Sequence, residues 1–330
     1  MPVVDSTFRP PFFLRGGHLA TILAAVYPRS RAAWTSRERL ELEDGDFLDL
    51  AWRQRGRDRL AVLCHGLEGS LDAPYIRGMA ETLAAGGWDV LAWNYRNCGG
   101  EPNRLPRTYH SGESGDLRTV VAHASGNYGH LAIVGFSLGG NIALKYAGEP
   151  PLHPAVRAVA AISAPIDLVS CARVLDGNRG NRLYQRRFLK TLVGKALAKA
   201  LRFPDKIDLA RVRGIRSIRD FDEFVTAPLH GFAGADDYWI RSSALPFIPR
   251  ITVPALLLSA ANDPLLDTPS YPEHLARELP HFHLETPAWG GHLGFSGAPL
   301  NRRPWHERRV LEFLEQAVGG TEIPPPLSPD

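Results

Sequence analysis

The sequence predicts an α/β fold: a mostly parallel sheet covered by helices on both faces, with a helical lid inserted late in the chain. Three observations carry this expectation. Short apolar runs alternate with amphipathic helical stretches from Arg59 onward, the pattern of βαβ units. A lone serine, Ser137, stands between Gly135 and Gly139, straight after one apolar run and straight before a helical stretch. The alternation then lapses for about ninety residues between Ser163 and Pro254 before it resumes.

The elements follow in order. Residues 1–37 show no periodicity and read as an irregular extension along the main domain. RLELE (Arg39 to Glu43) and FLDLAW (Phe47 to Trp52), parted by DGD, read as a hairpin. RLAVLC (Arg59 to Cys64) is a buried strand. Pro74 to Gly86 is a helix with Ile76, Met79, Ala80 and Leu83 on one face. WDVLAW (Trp88 to Trp93) is a strand, and Glu113 to Ser125 a helix. HLAIVGF (His130 to Phe136) is a strand that runs into the helix LGGNIALKYA (Leu138 to Ala147), and VRAVAAIS (Val156 to Ser163) is the next strand. After the gap come a strand at Pro254 to Ala260, a helix at Tyr271 to Leu279, a strand at His281 to Thr286 and a closing helix near Pro304 to Val318.

A structureless loop of ninety residues would be unusual. The gap contains a basic helical run, Arg182 to Arg202, and an aromatic, acidic stretch, Phe221 to Trp239, and reads as a lid. The expected organisation is therefore an extension at 1–37, a core at 38–164 and 251–320, a lid at 165–250 and a flexible tail at 321–330.

Composition bounds the function. The chain has 330 residues, 44% hydrophobic and 22% charged, as in a soluble protein with an ample core. A net charge of +3 is too small to argue for nucleic acid. Three cysteines, none in a C-x-x-C, point to a reducing compartment and hence to the cytoplasm. Prolines and arginines interrupt the apolar core a signal peptide would need, and no stretch suits a transmembrane helix.

The chemistry starts at Ser137. A serine at a sharp strand-to-helix turn takes a strained backbone that only small neighbours tolerate, and the turn lifts its hydroxyl clear of the sheet. That hydroxyl needs a base, and the base an orienting acid, in the chain order Ser, Asp or Glu, His. Asp263 in ANDPLL and His292 in PAWGGHLGF each follow a late strand. Asp267 and Asp167 are weaker rivals for the acid. The backbone N–H groups of Leu138, just after the serine, and of Leu67, in the loop HGLEGS (His65 to Ser70), are the expected oxyanion donors. His65 reads as a loop-stabilising residue rather than a second base.

With these residues assembled, the chain resembles the YheT-like branch of the α/β-hydrolases, relatives of the abhydrolase-domain carboxylesterases and monoacylglycerol lipases. The matching stretches are RPPFFLRGGHLATI (Arg9 to Ile22), HGLEGS, PYIRGMA (Pro74 to Ala80), NYRNCGGEPN (Asn94 to Asn103) and YHSGE (Tyr109 to Glu113). GFSLGGN (Gly135 to Asn141), TAPLHGF (Thr226 to Phe232), Asp263 with Pro264, and GGHLGF (Gly290 to Phe295) complete them. The resemblance implies a Ser137, Asp263, His292 triad and esterase-type acyl chemistry, and leaves the substrate open because members act on varied esters. The expected function is a serine carboxylesterase acting on short- to medium-chain acyl or glyceride esters, with no cofactor or metal expected. Acyl transfer to an alcohol is the alternative, and a serine peptidase of the same fold a more remote one.

Other signals have plainer readings. NYRNCGGE lacks the lysine of a phosphate-binding loop and reads as a turn near the site mouth. Glu113 and Asp116 suit the first turn of a helix. Asp236 and Asp237 have no histidine at ligand spacing, and Trp289 reads as a packing residue. The basic run reads as an ordinary amphipathic helix with Leu189, Val193, Ala196 and Leu197 inward. Arg186, Arg187, Lys190, Lys195 and Lys199 are then in water, with contact to an anionic lipid surface as the sharper alternative.

Overall fold

The computed structural model describes residues 2–26, 34–297 and 303–319; the expected tail at 321–330 lies outside them. Nine strands form one sheet: β1 (Val3–Val4), β2 (Ser36–Glu41), β3 (Phe47–Arg53), β4 (Arg59–Cys64), β5 (Asp89–Trp93), β6 (His130–Phe136), β7 (Val156–Ile162), β8 (Ala255–Leu258) and β9 (Phe282–Glu285). Their order is β1-β9-β8-β7-β6-β4-β5-β3-β2. The hairpin β2–β3 joins antiparallel at one edge, and β3 meets β5 antiparallel; every other pairing is parallel.

Alternation of side chains assigns the two faces. Along β4 and β6, Leu60, Val62, Cys64, Leu131 and Ile133 enter one apolar cluster, while Ala61, Leu63, Ala132, Val134 and Phe136 enter the other. Both faces are buried, so these strands read as continuous apolar runs. The first face is covered by α3 (Ser114–Ser125) through Leu117, Val120 and Val121, and by α4 (Leu138–Gly148) through Ile142 and Ala143. The second is covered by α2 (Pro74–Ala85), with Pro74 in its first turn, and α12 (Trp305–Gly319), where Ile76, Met79 and Leu83 share a cluster with Val310, Phe313 and Leu314. There the guanidinium of Arg309 donates to Glu285 of β9 at 2.7 Å, with both side chains buried.

The segment expected to be irregular, 1–37, holds regular elements among its described residues. Val3 and Val4 add an edge strand to β9, α1 (Gly17–Val26) is a helix, and β2 already begins at Ser36. A two-residue strand is too short for its period to show, and α1 is apolar over too much of its surface to look amphipathic.

Between β7 and β8 all the regular structure is helical. α5 (Leu168–Gly177) leads to α6 (Arg182–Arg202) and α7 (Leu209–Gly214). α8 (Ile218–Phe221) runs through a π-helical turn (Asp222–Thr226) into α9 (Ala227–His230), followed by α10 (Ala235–Ser242). Ala196, Ile207, Val212 and Val225 give this layer an apolar centre of its own, with Leu189, Val193 and Leu197 packed on it. The charges of α6 divide: Arg186, Arg187 and Lys190 are exposed, whereas Lys199 is buried and Lys195 turns inward. The expectation that all five basic residues face water is corrected on that point. α11 (Glu273–Glu278) then precedes β9.

Candidate active site

Ser137 occupies the turn between β6 and α4 with φ 51° and ψ −121°, a left-handed conformation that is strained for a serine. Small neighbours make the turn feasible. A Cβ on Gly135 would lie 2.2 Å from Gly139 O, and one on Gly139 would lie 2.3 Å from Cys64 O. The Ser137 N–H donates to Ile162 O on β7 at 2.8 Å, which fixes the turn to the neighbouring strand. Leu138 opens α4, so its N–H has no partner within the helix.

The loop after β4 passes close over this turn: a Cβ on Gly66 would lie 3.3 Å from Ser137 Cβ. The Gly66 N–H donates to the Tyr75 hydroxyl at 2.9 Å. The Glu68 N–H donates to the Tyr109 hydroxyl at 3.0 Å, and that hydroxyl donates back to Glu68 Oε1 at 2.8 Å. Lys195 of α6 reaches down to the same carboxylate at 2.9 Å. The loop carrying Leu67 is thus clamped by Tyr75 and Tyr109 and by Lys195 of α6. His65 is buried; its Nε2 takes the Tyr95 N–H at 3.3 Å, which leaves Nδ1 to donate to Gly66 O at 2.8 Å. Burial pushes its pKa down to about 3, so it stays neutral and holds the loop.

Asp263 and His292 meet. His292 Nδ1 lies 2.8 Å from Asp263 Oδ2, with the carboxylate fully buried. A carboxylate only accepts, so Nδ1 carries the proton and Nε2 is left with its lone pair. The second oxygen of Asp263 accepts from Leu265 N at 2.9 Å. The rival acids are occupied elsewhere: Asp167 caps α5 through Ser170 N at 2.8 Å, and Asp267 caps a short 3-10 turn through Thr268 N at 2.8 Å.

Sequence reasoning missed what holds His292. Its backbone N–H donates to Thr21 Oγ1 of α1 at 2.8 Å, and Asn262 bridges Gly291 N to Arg15 O. Gly291, at φ 53°, allows this approach, since a Cβ there would lie 2.3 Å from Gly17 O. The only sequence signal was the family-like stretch Arg9 to Ile22, which carries no chemistry of its own.

Ser137, Leu138, Leu67 and His292 line one cavity together with apolar residues of the helices between β7 and β8, including Leu175, Phe188 and Trp239. A second cavity lies under α6 and shares Leu67, Ser111, Leu138, Ile218, Asp222 and Tyr238 with the first. Asp222 is buried at their junction, accepting from Thr226 Oγ1 at 2.7 Å and from Trp239 Nε1 at 2.8 Å. Burial pushes its pKa up to about 7.

The other acids singled out in the sequence are ion-paired. Arg96 of the NYRNCGGE turn spends its guanidinium on Asp116, Asp46 and Asp44, and Arg107 holds Glu113. Glu113 at the N-cap and Asp116 in the first turn of α3 stand where the helix-dipole reading puts them, and these pairs add to it. Asp236 and Asp237 pair with Arg219 and Arg241, and Trp289 lies under the Arg15 guanidinium. His110, Glu113 and His230 bring ligand atoms within 4.8 Å of one another. Arg107 already holds that carboxylate. The rings of His110, His230, Phe232 and Tyr238 stack edge to face, which accounts for the grouping as packing.

Comparison with known proteins places this architecture. The sequence pattern of the alpha/beta hydrolase fold matches residues 61–299. The Escherichia coli (strain K12) protein named "Putative esterase YheT" is 37% identical over 307 residues, covering 90% of this chain and 89% of that protein. Human phospholipase ABHD3 and human monoacylglycerol lipase ABHD2 are each 26% identical, covering 96% and 94% of this chain and 80% of either relative. Among solved structures, the Pyrococcus furiosus esterase Pf2001 shares the fold at a TM-score of 0.55 and 19% identity, over 88% of this chain and 98% of that one. The chain belongs to the α/β-hydrolase family, in the branch that contains Escherichia coli YheT.

Proposed function

We propose that the protein is a serine carboxylesterase acting on acyl esters through an acyl-enzyme. The observation that carries this reading is the strained Ser137 turn opening into the same apolar cavity as an imidazole bound to a buried carboxylate. In this reading Ser137 Oγ attacks the ester carbonyl while His292 Nε2 takes its proton. Asp263 holds the tautomer and stabilises the imidazolium that forms. The N–H groups of Leu67 and Leu138 take the negative charge that develops on the carbonyl oxygen. His292 returns the proton to the leaving alcohol, and water then releases the acid by the same route in reverse.

The helices of 165–250 act here as a lid that excludes water, with Phe188 and Leu175 against the acyl chain. Relatives named for phospholipid and monoacylglycerol cleavage support a lipid-derived ester. All three cysteines are free and buried, which fits a cytoplasmic setting.

A fluorophosphonate probe followed by peptide mapping tests the reading, together with Ser137→Ala on p-nitrophenyl esters from acetyl to palmitoyl. Label at Ser137 alone and a loss of ~10⁴-fold or more are expected. Label on another residue, substantial turnover by the variant, or a preference for aminoacyl-anilides would overturn it.

A further inference from the structure

Nine large hydrophobic side chains are exposed among the described residues, and five of them, Phe12, Phe13, Leu19, Ile22 and Val26, fall in one stretch of fifteen residues. Phe12 is 84% exposed, Phe13 60% and Val26 65%. Leu19, Ile22 and Val26 recur at helical spacing on α1, opposite Ala20 and Thr21, which are buried against the His292 loop. A sixth, Leu183, 62% exposed, stands at the start of α6. Its neighbour Tyr184 stacks on His18 of α1, the His18 Nδ1 lying 3.1 Å from its hydroxyl. The two helices therefore present their apolar residues side by side. Scattered exposed apolar residues need no explanation, but a contiguous set does.

Within residues 9–26 and 177–204 every charged side chain is basic. Arg9, Arg15, Arg179, Arg182, Arg186 and Arg187 are exposed on the same two segments. No acid occurs in the sequence between Asp176 and Asp205. Asp176 itself is engaged from within, by Gln185 and by the N–H groups of Ile218 and Arg219. An apolar stripe rimmed by arginine is the composition of a surface that lies in a lipid headgroup layer. A second copy of the chain docking here through a two-fold axis would set this arginine rim against itself. No helix among the described residues is long and apolar enough to cross a membrane, so the contact is with its surface.

We infer that α1, the Phe12–Leu14 turn before it and the start of α6 form a docking face for anionic lipid bilayers. The face adjoins the candidate site. α1 holds the His292 backbone, and Phe188, five residues after Leu183 on α6, lines the cavity of Ser137. Docking would bring the apolar cavity against the layer in which acyl substrates are dissolved. Only this last step rests on the esterase reading; the docking itself does not.

Vesicle co-sedimentation tests it, with phosphatidylglycerol–phosphatidylcholine vesicles against pure phosphatidylcholine at low and high salt. Wild type is expected to bind the anionic vesicles at low salt. Arg186→Gln with Arg187→Gln should lower the partition coefficient roughly 25-fold, about fivefold per arginine, and the loss should shrink at high salt. Phe12→Ser with Phe13→Ser should lower it at least tenfold at either salt. Both double variants should hydrolyse a soluble short-chain ester at the wild-type rate. Wild type that ignores anionic vesicles at low salt overturns the proposal. So does light scattering that shows a dimer which the Phe12 and Phe13 changes dissociate, since a second copy is then the occupant. Vesicle binding by a protein that hydrolyses no ester would sustain the docking face and sink the esterase reading instead.

Discussion

Replacing Thr21 by valine isolates what α1 does for the candidate base. Valine keeps the shape of threonine but turns the hydroxyl into a methyl group, removing the acceptor for the His292 N–H and the donor to Gly17 O, which stand at 2.8 and 2.7 Å. Thr21 is buried, so little water can replace it. Leaving a buried N–H unpaired costs about 1–3 kcal/mol. The loop cannot close the gap by approaching α1 further, because Gly291 already lies within contact of Gly17 O. The expected response is that residues 290–294 move off the helix and take the imidazole with them. If the whole cost falls on the transition state, kcat drops between about 5- and 150-fold at 1.36 kcal/mol per decade. KM should stay nearly level, and Thr21→Ser, which keeps the hydroxyl, should recover most of the loss. The assay is steady-state hydrolysis of a soluble p-nitrophenyl ester beside a thermal melt. A valine variant with wild-type kcat and a lowered Tm would refute the reasoning, leaving α1 as a cover with no part in positioning His292.

Two further outcomes are expected. Asp263→Asn should cost on the order of 10⁴-fold in kcat by mis-setting the His292 tautomer, whereas Asp167→Ala should lose about 1 kcal/mol of stability as a helix cap and less than tenfold in kcat. The reverse ranking in steady-state assays would move the acid to the earlier strand. For Asp222, a folded-state pKa of about 7 against about 4 unfolded means the protein loses stability as pH rises from about 4 to 7, because the buried carboxyl resists ionising. Asp222→Asn can keep both side-chain partners, with its carbonyl accepting from Trp239 and its amide donating to Thr226. It should therefore melt above wild type at pH 8, with the difference gone near pH 4. A difference in Tm that does not change with pH would show that Asp222 stays ionised.

The sheet was legible because its strands are buried on both faces and the helices between them are periodic; β4 through β9 fall within a residue or two of their apolar runs. The elbow at Ser137 was legible because a tight turn restricts which residues can flank it. Legibility failed wherever the determining partner is distant in sequence. Thr21 and His292 are 271 positions apart, and Lys195 and Glu68 are 127 apart. No local pattern encodes either contact. Lys199 illustrates the same limit, since its ammonium is buried by donating to Leu105 O rather than by anything on its own helix. Asp222 looked like one acid among several in an aromatic stretch, and its burial depends on Trp239 and Thr226 closing around it.

The edge strand β1 has a consequence for how the molecule is made. Val3 pairs with Leu284, 281 positions later in the chain. A ribosome adding ~5–20 residues per second needs about 14 to 56 s to cover that distance. Throughout that interval the first segment has no strand to pair with, and α1 has no His292 loop to pack on. Phe12, Phe13 and the bare stripe of α1 spend it exposed to whatever binds nascent apolar chain. The same late pairing accompanies the α1 contact with the His292 loop, so in the proposed mechanism the imidazole is seated only after most of the sheet has been made. Under the proposed mechanism catalytic competence arrives late, so a chain stopped before His292 is expected to hydrolyse no ester.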